Sequence, residues 1–389
     1  MTDVLLIPFW NSCPAPNHRL LGVDFHDRIA LQSRRSGFKK ILTRLGPDEV
    51  QDLSEQFLLL SPDLLLSDAA WKRLMALEPE RETLTTAEET DSFALVRCAD
   101  AEFLRQAFQE SDSYATLVSR LGARLKREFV SLGEREWVAF RSGDDRRRVE
   151  RWLLRGLIKE SEGFMSRHVE RKISLAVTSS LVDTRITPNA MTLLSVGIGI
   201  IGASFFASPK KSRHVLGALL FWLHSVLDGC DGELARLKFA ESRWGGLIDF
   251  WGDNVVHSAV FSAIAAGVYA KEQGTVPVAL AFSAVSGTLL SAGLVYRTTM
   301  RDKSSGGPLF TSVVGSPSQR SSSIEKIADQ LARRDFIYLV IALAIAGKVK
   351  WFLWMGAIGA PLYFLALAAL SLKNSQTVRQ QIVSPETLK

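Results

Sequence analysis

Four aspartates lie where two apolar segments of the chain approach each other in sequence. Asp228 and Asp231 follow the apolar run LGALLFWLHSVL, and Asp249 and Asp253 begin the next apolar segment. Residues three or four positions apart share one face of a helix, so each pair predicts a carboxylate-bearing face. Two antiparallel helices joined by a short turn would bring all four carboxylates together. Like charges so close oppose burial, so the cluster needs a compensating charge.

A hard divalent cation is the compensating charge that suits such a cluster. Carboxylate oxygens are ligands for magnesium, manganese and calcium rather than for soft metals. Four carboxylates can hold two ions and leave room for a substrate phosphate, and paired ions recur in phosphoryl and phosphodiester chemistry. Helix caps or interfacial salt bridges are the simpler interpretation of one or two aspartates, but not of four. The spacing therefore predicts a site for metal and phosphate.

The residues between the aspartates suit a diphosphate substrate. Gly232 and Ala235 leave one face of the first helix without large side chains, which lets a bulky substrate approach the backbone. Arg236 lies two helical turns beyond the first aspartate, where its guanidinium could pair with a phosphate. Gly245 opens the second helix and leaves space for a flat base. These residue types extend the predicted metal site into a site for a nucleoside diphosphate group.

The complete pattern resembles the signature of the CDP-alcohol phosphotransferase family, also called the CDP-alcohol phosphatidyltransferase family. It reads Asp228-x2-Asp231-Gly232-x2-Ala235-Arg236-x8-Gly245-x3-Asp249-x3-Asp253 and agrees with that signature at every defined position. The resemblance implies a six-helix membrane fold, usually dimeric. It also implies transfer of a substituted phosphate from a CDP-alcohol to an acceptor hydroxyl, with release of CMP.

The same resemblance implies a role for each residue of the signature. All four aspartates would bind two ions of Mg²⁺ or Mn²⁺, and Asp253 would also serve as the general base. The residues that would contact the CDP moiety are Gly232, Ala235, Arg236 and Gly245. A non-catalytic membrane scaffold descended from such an enzyme is the alternative interpretation, and the intact signature argues against it for this half of the chain.

The donor and the acceptor are left open by the sequence. The stretches GFMSRHVERKISL, ITPNAMTLLS and RRDFIYLVIAL resemble the branch that includes di-myo-inositol phosphate phosphate synthases. That branch implies CDP-inositol as donor and inositol phosphate as acceptor. CDP-diacylglycerol, used in phospholipid synthesis, is the competing donor. A phosphorylated polyol acceptor needs basic residues near the metals, and the candidates are Arg243, Arg297, Arg301 and Lys303.

The N-terminal half has the pattern of an α/β domain. Short apolar runs such as VLLIPFW, QFLLLSPD and SFALVRCAD alternate with helical stretches such as FHDRIALQSRRSG, which predicts a parallel sheet. RLLGVDFHDRIALQSRRSGFKKIL resembles a sugar-nucleotidyltransferase fold. The loop IPFWNSCPAPNHR lacks the glycines that such enzymes place around phosphates. The domain is therefore predicted to be degenerate and inactive, with Asp63 an ordinary loop residue.

The C-terminal half contains six apolar segments, at 190–207, 215–227, 254–270, 276–296, 336–347 and 351–372. An even number of spans puts both ends of a membrane domain on one side. The chain is therefore predicted to be a multi-pass membrane protein with its N-terminal domain and active site facing the cytoplasm. Lys210, Lys211 and Arg213 conflict with the positive-inside rule, because they would lie in an external loop.

The predicted organisation has four parts. They are a cytoplasmic α/β nucleotidyltransferase-like domain at 1–140, a basic amphipathic juxtamembrane helix at 141–187, an all-α six-helix transmembrane domain at 188–375 and a cytoplasmic tail at 376–389. The basic juxtamembrane segment is expected to lie against lipid headgroups.

Composition excludes several other classes of protein. The chain has 389 residues and a formal net charge of +6, with no zinc-finger or RNA-binding signature, so nucleic acid is not an expected partner. Cys13, Cys98 and Cys230 lie far apart without CxxC spacing, which argues against a disulfide framework or a zinc site. His224 and His257 are predicted to be core or interfacial side chains rather than metal ligands.

Overall fold

The computed structural model describes residues 4–6, 19–42, 55–88, 92–158, 165–300 and 336–383. The chain divides into two compact units, Met1–Leu157 and Ile158–Lys389. The division falls inside the segment 141–187 that the sequence assigns to a juxtamembrane helix. The described residues of that segment include two separate α-helices, one in each unit.

The N-terminal unit is an α/β structure, as the sequence predicts. Its main sheet has six strands in the order β4-β1-β5-β8-β7-β9, and two smaller sheets pair β2 with β3 and β6 with β10. The strands are β1 (Val4–Leu6), β2 (Arg19–Leu20), β3 (Val23–Asp24), β4 (Lys40–Leu42), β5 (Gln56–Leu60), β6 (Leu64–Leu66), β7 (Thr83–Ala87), β8 (Phe93–Arg97), β9 (Lys126–Val130) and β10 (Trp137–Ala139).

The prediction of a parallel sheet is wrong for one strand. β8 runs antiparallel to both of its neighbours, β5 and β7. The pairs β1 with β4, β1 with β5, and β7 with β9 are parallel, so the sheet is mixed. Residues 88–92 connect β7 to β8, and so short a connection permits a hairpin but not the crossover that a parallel pair requires.

Five α-helices lie in the described part of the N-terminal unit. They are α1 (Phe25–Ser36), α2 (Asp68–Ala76), α3 (Ala101–Gln109), α4 (Tyr114–Arg124) and α5 (Arg146–Gly156). Leu117 and Leu121 of α4 join Phe57 and Leu59 of β5 in a hydrophobic core on one face of the sheet. The alternation of strand and helix in the sequence thus produces layers that bury each other's apolar faces.

The helix α5 carries the basic cluster of the predicted juxtamembrane segment. Val149 and Leu153 are buried, so part of its apolar side packs within the N-terminal unit against the region of β10. Arg147, Arg151 and Arg155 recur at intervals of four residues and are exposed. The helix therefore presents a basic row outward while its apolar residues stabilise the α/β unit.

The described secondary structure of the C-terminal unit is helical. Its helices are α6 (Arg171–Leu181), α7 (Pro188–Phe206), α8 (Lys211–Leu237), α9 (Arg243–Glu272), α10 (Val276–Val295), α11 (Phe336–Ala346) and α12 (Lys350–Val383). Each of the six predicted apolar segments lies mainly within one of the helices α7 to α12. The helix α12 extends past residue 375, where the sequence places the end of the membrane domain.

Three helices of the described chain are long and apolar enough to cross a membrane: Pro188–Phe206, Val276–Thr298 and Lys350–Leu372. Large apolar side chains such as Leu193, Phe282 and Leu365 are exposed on them. Apolar side chains on the outside of an apolar helix are typical of a surface that faces lipid. Spanning by α8, α9 and α11 stays a prediction, and so does the six-helix transmembrane fold.

The helix α7 organises the site because it packs against both α8 and α9. Thr187 caps its start by accepting a hydrogen bond from the backbone N–H of Ala190 at 3.2 Å, and Pro188 occupies the first turn. Pro188 fits there because the first turn of a helix needs no backbone N–H donor. Lys238, just after α8, donates to the carbonyls of Thr184 and Ile186 at 3.0 Å each, which ties the loop before α7 to the end of α8.

Candidate metal and phosphate site

Three carboxylates from two helices meet in the C-terminal unit. Asp228 and Asp231 of α8 and Asp249 of α9 each place one oxygen within 4.8 Å of the others. Asp228 and Asp231 are only 5% and 6% exposed. The predicted helical spacing is responsible, because α8 continues to Leu237 and thus carries both of its aspartates on one face.

The Asp231 carboxylate is held from two sides. The hydroxyl of Thr192, on α7, donates a hydrogen bond to Oδ2. The backbone N–H of Gly232 donates to Oδ1. Thr192 is buried one turn inside α7, and sequence reasoning missed it because nothing in an apolar helix marks which hydroxyl faces a neighbouring helix. Its contact fixes the orientation of one predicted metal ligand.

Asp253 lies one helical turn beyond Asp249 and makes a different contact. One of its carboxylate oxygens, Oδ1, lies 3.4 Å from Nε2 of His224. The other ring nitrogen of His224, Nδ1, lies 3.0 Å from the carbonyl oxygen of Ser195. His224 is 2% exposed, so it is a core side chain as predicted. The sequence did not indicate that this core histidine faces the fourth aspartate.

The two glycines of the signature lie close to neighbouring side chains. A Cβ atom on Gly245 would stand 2.8 Å from the Asn189 side-chain oxygen, so a larger residue there would require the Asn189 side chain of α7 to move. A Cβ on Gly232 would stand 3.3 Å from Nη1 of Arg236, which places the guanidinium beside that glycine. Ala235 and Arg236 are partly buried on the same helix. The predicted CDP-binding residues of α8 therefore lie along one stretch next to Asp231.

A second buried carboxylate on α8 has a structural role. Glu233 is fully buried and accepts hydrogen bonds from Arg171 at 2.8 Å, from Ser174 at 2.7 Å and from Thr178 at 2.7 Å. These three partners lie on successive turns of α6. The Glu233 carboxylate thus joins α6 to α8, and a charge with this many donors is compensated within the protein.

Two of the four predicted acceptor-binding residues lie within the described part of the chain. Arg243 begins α9 and Arg297 follows α10, and both are exposed. Arg301 and Lys303 lie outside the described residues. Acceptor binding by these four residues stays a prediction.

The donor set fits a hard divalent cation. The three clustered groups are carboxylates, which are the preferred ligands of magnesium and manganese. Two of them are buried, and burying several carboxylates against one another is unfavourable unless a positive charge compensates them. The arrangement can therefore bind one or more such ions and, through them, the oxygens of a phosphate.

Comparison with known proteins agrees with this chemistry. Residues 185–316 match the family model described as CDP-alcohol phosphatidyltransferase. The bifunctional IPC transferase and DIPP synthase of Archaeoglobus fulgidus is 32% identical over 239 residues, which is 61% of this chain and 42% of the relative. The phosphatidylinositol phosphate synthase of Mycobacteroides abscessus is 28% identical over 103 residues, which is 26% of this chain and 46% of the relative. The matches thus span less than half the length of these curated relatives.

Solved structures are also similar to this chain. The crystal structure of Mycobacterium tuberculosis phosphatidylinositol phosphate synthase with CDP-DAG bound has 17% sequence identity and a TM-score of 0.32. The similarity covers 56% of this chain and 98% of that chain.

Proposed function

Because residues 185–316 match the family model described as CDP-alcohol phosphatidyltransferase, we propose that the protein transfers a substituted phosphate from a CDP-alcohol to an acceptor hydroxyl and releases CMP. One observation carries this proposal. Oxygens of Asp228, Asp231 and Asp249 lie within 4.8 Å of one another, next to Gly232 and Ala235 on α8. A buried carboxylate cluster beside a site for a diphosphate is suited to this class of reaction.

Asp228, Asp231 and Asp249, with Asp253 one turn away, would hold the divalent ions. Magnesium or manganese at this position would neutralise the diphosphate and stabilise the leaving phosphate of CMP. The hydroxyl of Thr192 and the N–H of Gly232 would keep Asp231 in its binding orientation. A count of two ions follows from the family resemblance and belongs to the proposal.

The remaining residues of the signature would bind and activate the reactants. Arg236 would pair with a phosphate oxygen of the donor beside Gly232, and Gly245 would leave space for the CDP group. Asp253 would accept the proton of the acceptor hydroxyl. The acceptor oxygen then forms a bond to the phosphorus that carries the alcohol group, and the bond from that phosphorus to the CMP oxygen breaks. CMP leaves with the electron pair of that bond.

The substrate class is a CDP-alcohol donor and a phosphorylated polyol acceptor. Relatives named for inositol chemistry favour an inositol phosphate acceptor, with CDP-inositol and CDP-diacylglycerol as the two donors to distinguish. Arg243 and Arg297 are the described candidates for binding the acceptor phosphate. An exposed basic side chain near the membrane surface can also bind lipid headgroups. The assay below therefore compares acceptors directly.

We place the protein in the membrane as a multi-pass protein with its active site facing the cytoplasm. Three helices of the described chain have the length and composition of spans, and α8, α9 and α11 would complete a six-helix domain. The arginine row of α5 would contact anionic headgroups. The family resemblance also implies that the protein forms a homodimer. The N-terminal α/β unit would be an inactive nucleotidyltransferase relative with a regulatory or structural role.

The test is CMP release from purified protein in detergent with magnesium or manganese. CDP-diacylglycerol and CDP-inositol are compared as donors, and inositol phosphate, glycerol phosphate and serine as acceptors. Asp253→Asn is the inactive variant, and Asp183→Asn, an exposed aspartate before α7, is the matched control. We expect release with a phosphorylated polyol acceptor from one donor, lost in Asp253→Asn and retained in Asp183→Asn.

Each outcome separates the possibilities. Release from CDP-diacylglycerol assigns the protein to phospholipid synthesis, and release from CDP-inositol alone assigns it to soluble phosphodiester synthesis. Equal release by the wild type and Asp253→Asn contradicts the proposed site. Absence of CMP release with every pair of donor and acceptor contradicts the proposed function and favours a membrane scaffold.

A further inference from the structure

We propose that the end of the helical unit opposite the carboxylate cluster binds the headgroups of anionic phospholipids. This surface, which we call the basic end, consists of the segments 207–214, 271–275 and 347–350, at the connections of α7 to α8, α9 to α10 and α11 to α12. Its exposed basic residues are Lys210, Lys211, Arg213, Lys271, Lys348 and Lys350. The proposal rests on the proposed placement in the membrane, but not on the proposed catalytic activity.

Contacts bring these three segments to one surface. A Cβ atom on Gly347 would stand 3.7 Å from Cδ of Lys211, so the connection from α11 to α12 lies beside the start of α8. Nζ of Lys350 lies 2.9 Å from Oε1 of Glu272, which joins the start of α12 to the end of α9. The basic side chains of all three segments therefore lie at the same end of the helical unit.

The charges at the basic end are unbalanced. The three segments contain six lysines and arginines but one acidic residue, Glu272, and that residue pairs with Lys350. Lys211 and Lys350 are also the first residues of α8 and α12. A positive charge at this position opposes the helix dipole, so these lysines do not stabilise the helices that they begin. The excess positive charge instead fits an anionic partner outside the helical unit.

Exposed tryptophans beside the lysines indicate that this partner is a lipid headgroup. Trp351 and Trp354, in the first turns of α12, are 56% and 42% exposed. Tryptophan is typical of the boundary between hydrocarbon and headgroups, because its ring is apolar and its N–H can donate a hydrogen bond. A basic surface that faces bulk water gains nothing from two exposed indole rings. The combination of tryptophan and lysine therefore favours headgroups over soluble anions.

The basic end lies at one end of every candidate span in the described chain. Pro188–Phe206 ends just before it, and Val276–Thr298 and Lys350–Leu372 begin at it. Along α8, Lys211 is about 26 Å from Asp228 at the usual helical rise, and the hydrocarbon core of a bilayer is about 30 Å thick. The bound headgroups therefore belong to the leaflet opposite the carboxylate cluster. This role also accounts for basic residues in an external loop, which the positive-inside rule does not.

The test measures which lipid contacts the basic end in a bilayer. The full-length protein is reconstituted in phosphatidylcholine with increasing fractions of brominated phosphatidylglycerol or brominated phosphatidylcholine, because bromine quenches tryptophan fluorescence at close range. The signal from this surface is the difference between proteins with and without the substitutions Trp351→Phe and Trp354→Phe. In the wild type, we expect phosphatidylglycerol to bind here about threefold to tenfold more tightly than phosphatidylcholine.

Two variants with the same loss of charge are compared, each with its own Trp→Phe counterpart. Lys210→Gln/Lys211→Gln/Arg213→Gln changes the basic end, and Lys72→Gln/Arg81→Gln/Arg135→Gln removes three exposed basic side chains from the α/β unit. The preference for phosphatidylglycerol should fall below about twofold in the first variant and match wild type in the second. Equal preferences in the two variants overturn the inference, and so does a wild type that shows no preference.

A second variant tests whether the three segments act as one surface. Lys271→Gln/Lys348→Gln changes the other two segments and should also lower the preference for phosphatidylglycerol. An unchanged preference in this variant overturns the inference. Inorganic phosphate should weaken lipid binding no more than sodium chloride of equal ionic strength, because screening acts on both in the same way. Stronger displacement by phosphate overturns the assignment to headgroups.

Failure of this inference is distinguishable from failure of the proposed activity, because CMP release is not measured. A preference for phosphatidylglycerol in a protein that releases no CMP supports the inference and rejects the proposed activity. CMP release from a protein without the preference has the opposite meaning. Absence of quenching of Trp351 and Trp354 by either lipid rejects the placement in the membrane and the inference together.

Discussion

The two units of the protein bury charged groups in opposite ways. In the α/β unit, Arg28 is 2% exposed, and its guanidinium donates to the carbonyls of Leu20 at 2.8 Å and Leu21 at 3.2 Å. Burial lowers the pKa of Arg28 to about 10. In the helical unit, Asp228 and Asp231 are buried with their oxygens directed toward a third carboxylate. The Arg28 guanidinium is held by backbone carbonyls of its own unit, whereas the clustered carboxylates carry like charges that a divalent cation would compensate.

The same contrast occurs within α8. Glu233 lies two residues after Asp231 and is also buried, but Arg171, Ser174 and Thr178 donate to its carboxylate. Its charge is used to attach α6. A buried charge is therefore not evidence of a binding site by itself, because the groups that face it decide whether it stabilises the fold or binds a ligand.

The largest effect is expected from Asp249→Asn. Loss of one carboxylate should abolish tight Mn²⁺ binding and lower CMP release by about a thousandfold, which corresponds to roughly 4 kcal/mol. Without metal, the variant should unfold at the same or a higher Tm than wild type, because repulsion among the carboxylates is reduced. The measurements are Mn²⁺ titration and thermal unfolding with chelator, and a lower metal-free Tm would contradict the contrast with Glu233.

Glu233→Gln should have the opposite effects on Tm and Mn²⁺ binding to those of Asp249→Asn. Removing the negative charge leaves Arg171 without its buried partner, and breaking a buried pair on one side costs about 3 kcal/mol. The expected result is a clearly lower Tm at unchanged Mn²⁺ affinity. A variant that keeps its Tm but loses Mn²⁺ would assign Glu233 to the metal site instead.

Arg28→Met should destabilise only the α/β unit. The variant leaves two buried carbonyls without their donor, which costs about 2 kcal/mol. Amide hydrogen exchange in residues 19–37 should become faster, while CMP release below the unfolding temperature stays at the wild-type rate. A matching loss of CMP release would show that catalysis in the helical unit depends on the fold of the α/β unit.

Thr192→Val has the smallest expected effect. It removes the hydroxyl that donates to Asp231 and keeps the shape of the side chain, so the Kd for Mn²⁺ should rise by about tenfold. Thr192→Ser retains the hydroxyl and should stay close to wild type. Equal Kd values for the Val and Ser variants would remove Thr192 from the account of the metal site.

The sequence predicted the features that depend on local spacing. Helical periodicity was enough to put Asp228 beside Asp231 on α8. The contacts that cross between helices were missed, because they depend on the rotation of each helix about its axis. Thr192 with Asp231 and His224 with Asp253 are both of this kind.

The sheet of the α/β unit shows a related difference. The short apolar runs identified β1, β5 and β8 as strands, but not the direction in which each runs. The direction of β8 is set by its short connection to β7 and by its antiparallel pairing with β5. Strand direction is thus a property of connections and partners rather than of residue composition.

The most direct test of the central claim is metal add-back to the stripped protein. Purified protein is treated with chelator, exchanged into metal-free detergent buffer and assayed for CMP release from its active donor as Mg²⁺ is added. We predict no release without metal, restoration by Mg²⁺ in the wild type, and no restoration in Asp231→Asn. Release that survives chelation, or that Mg²⁺ restores equally in Asp231→Asn, would contradict the assignment of the carboxylate cluster as the metal site.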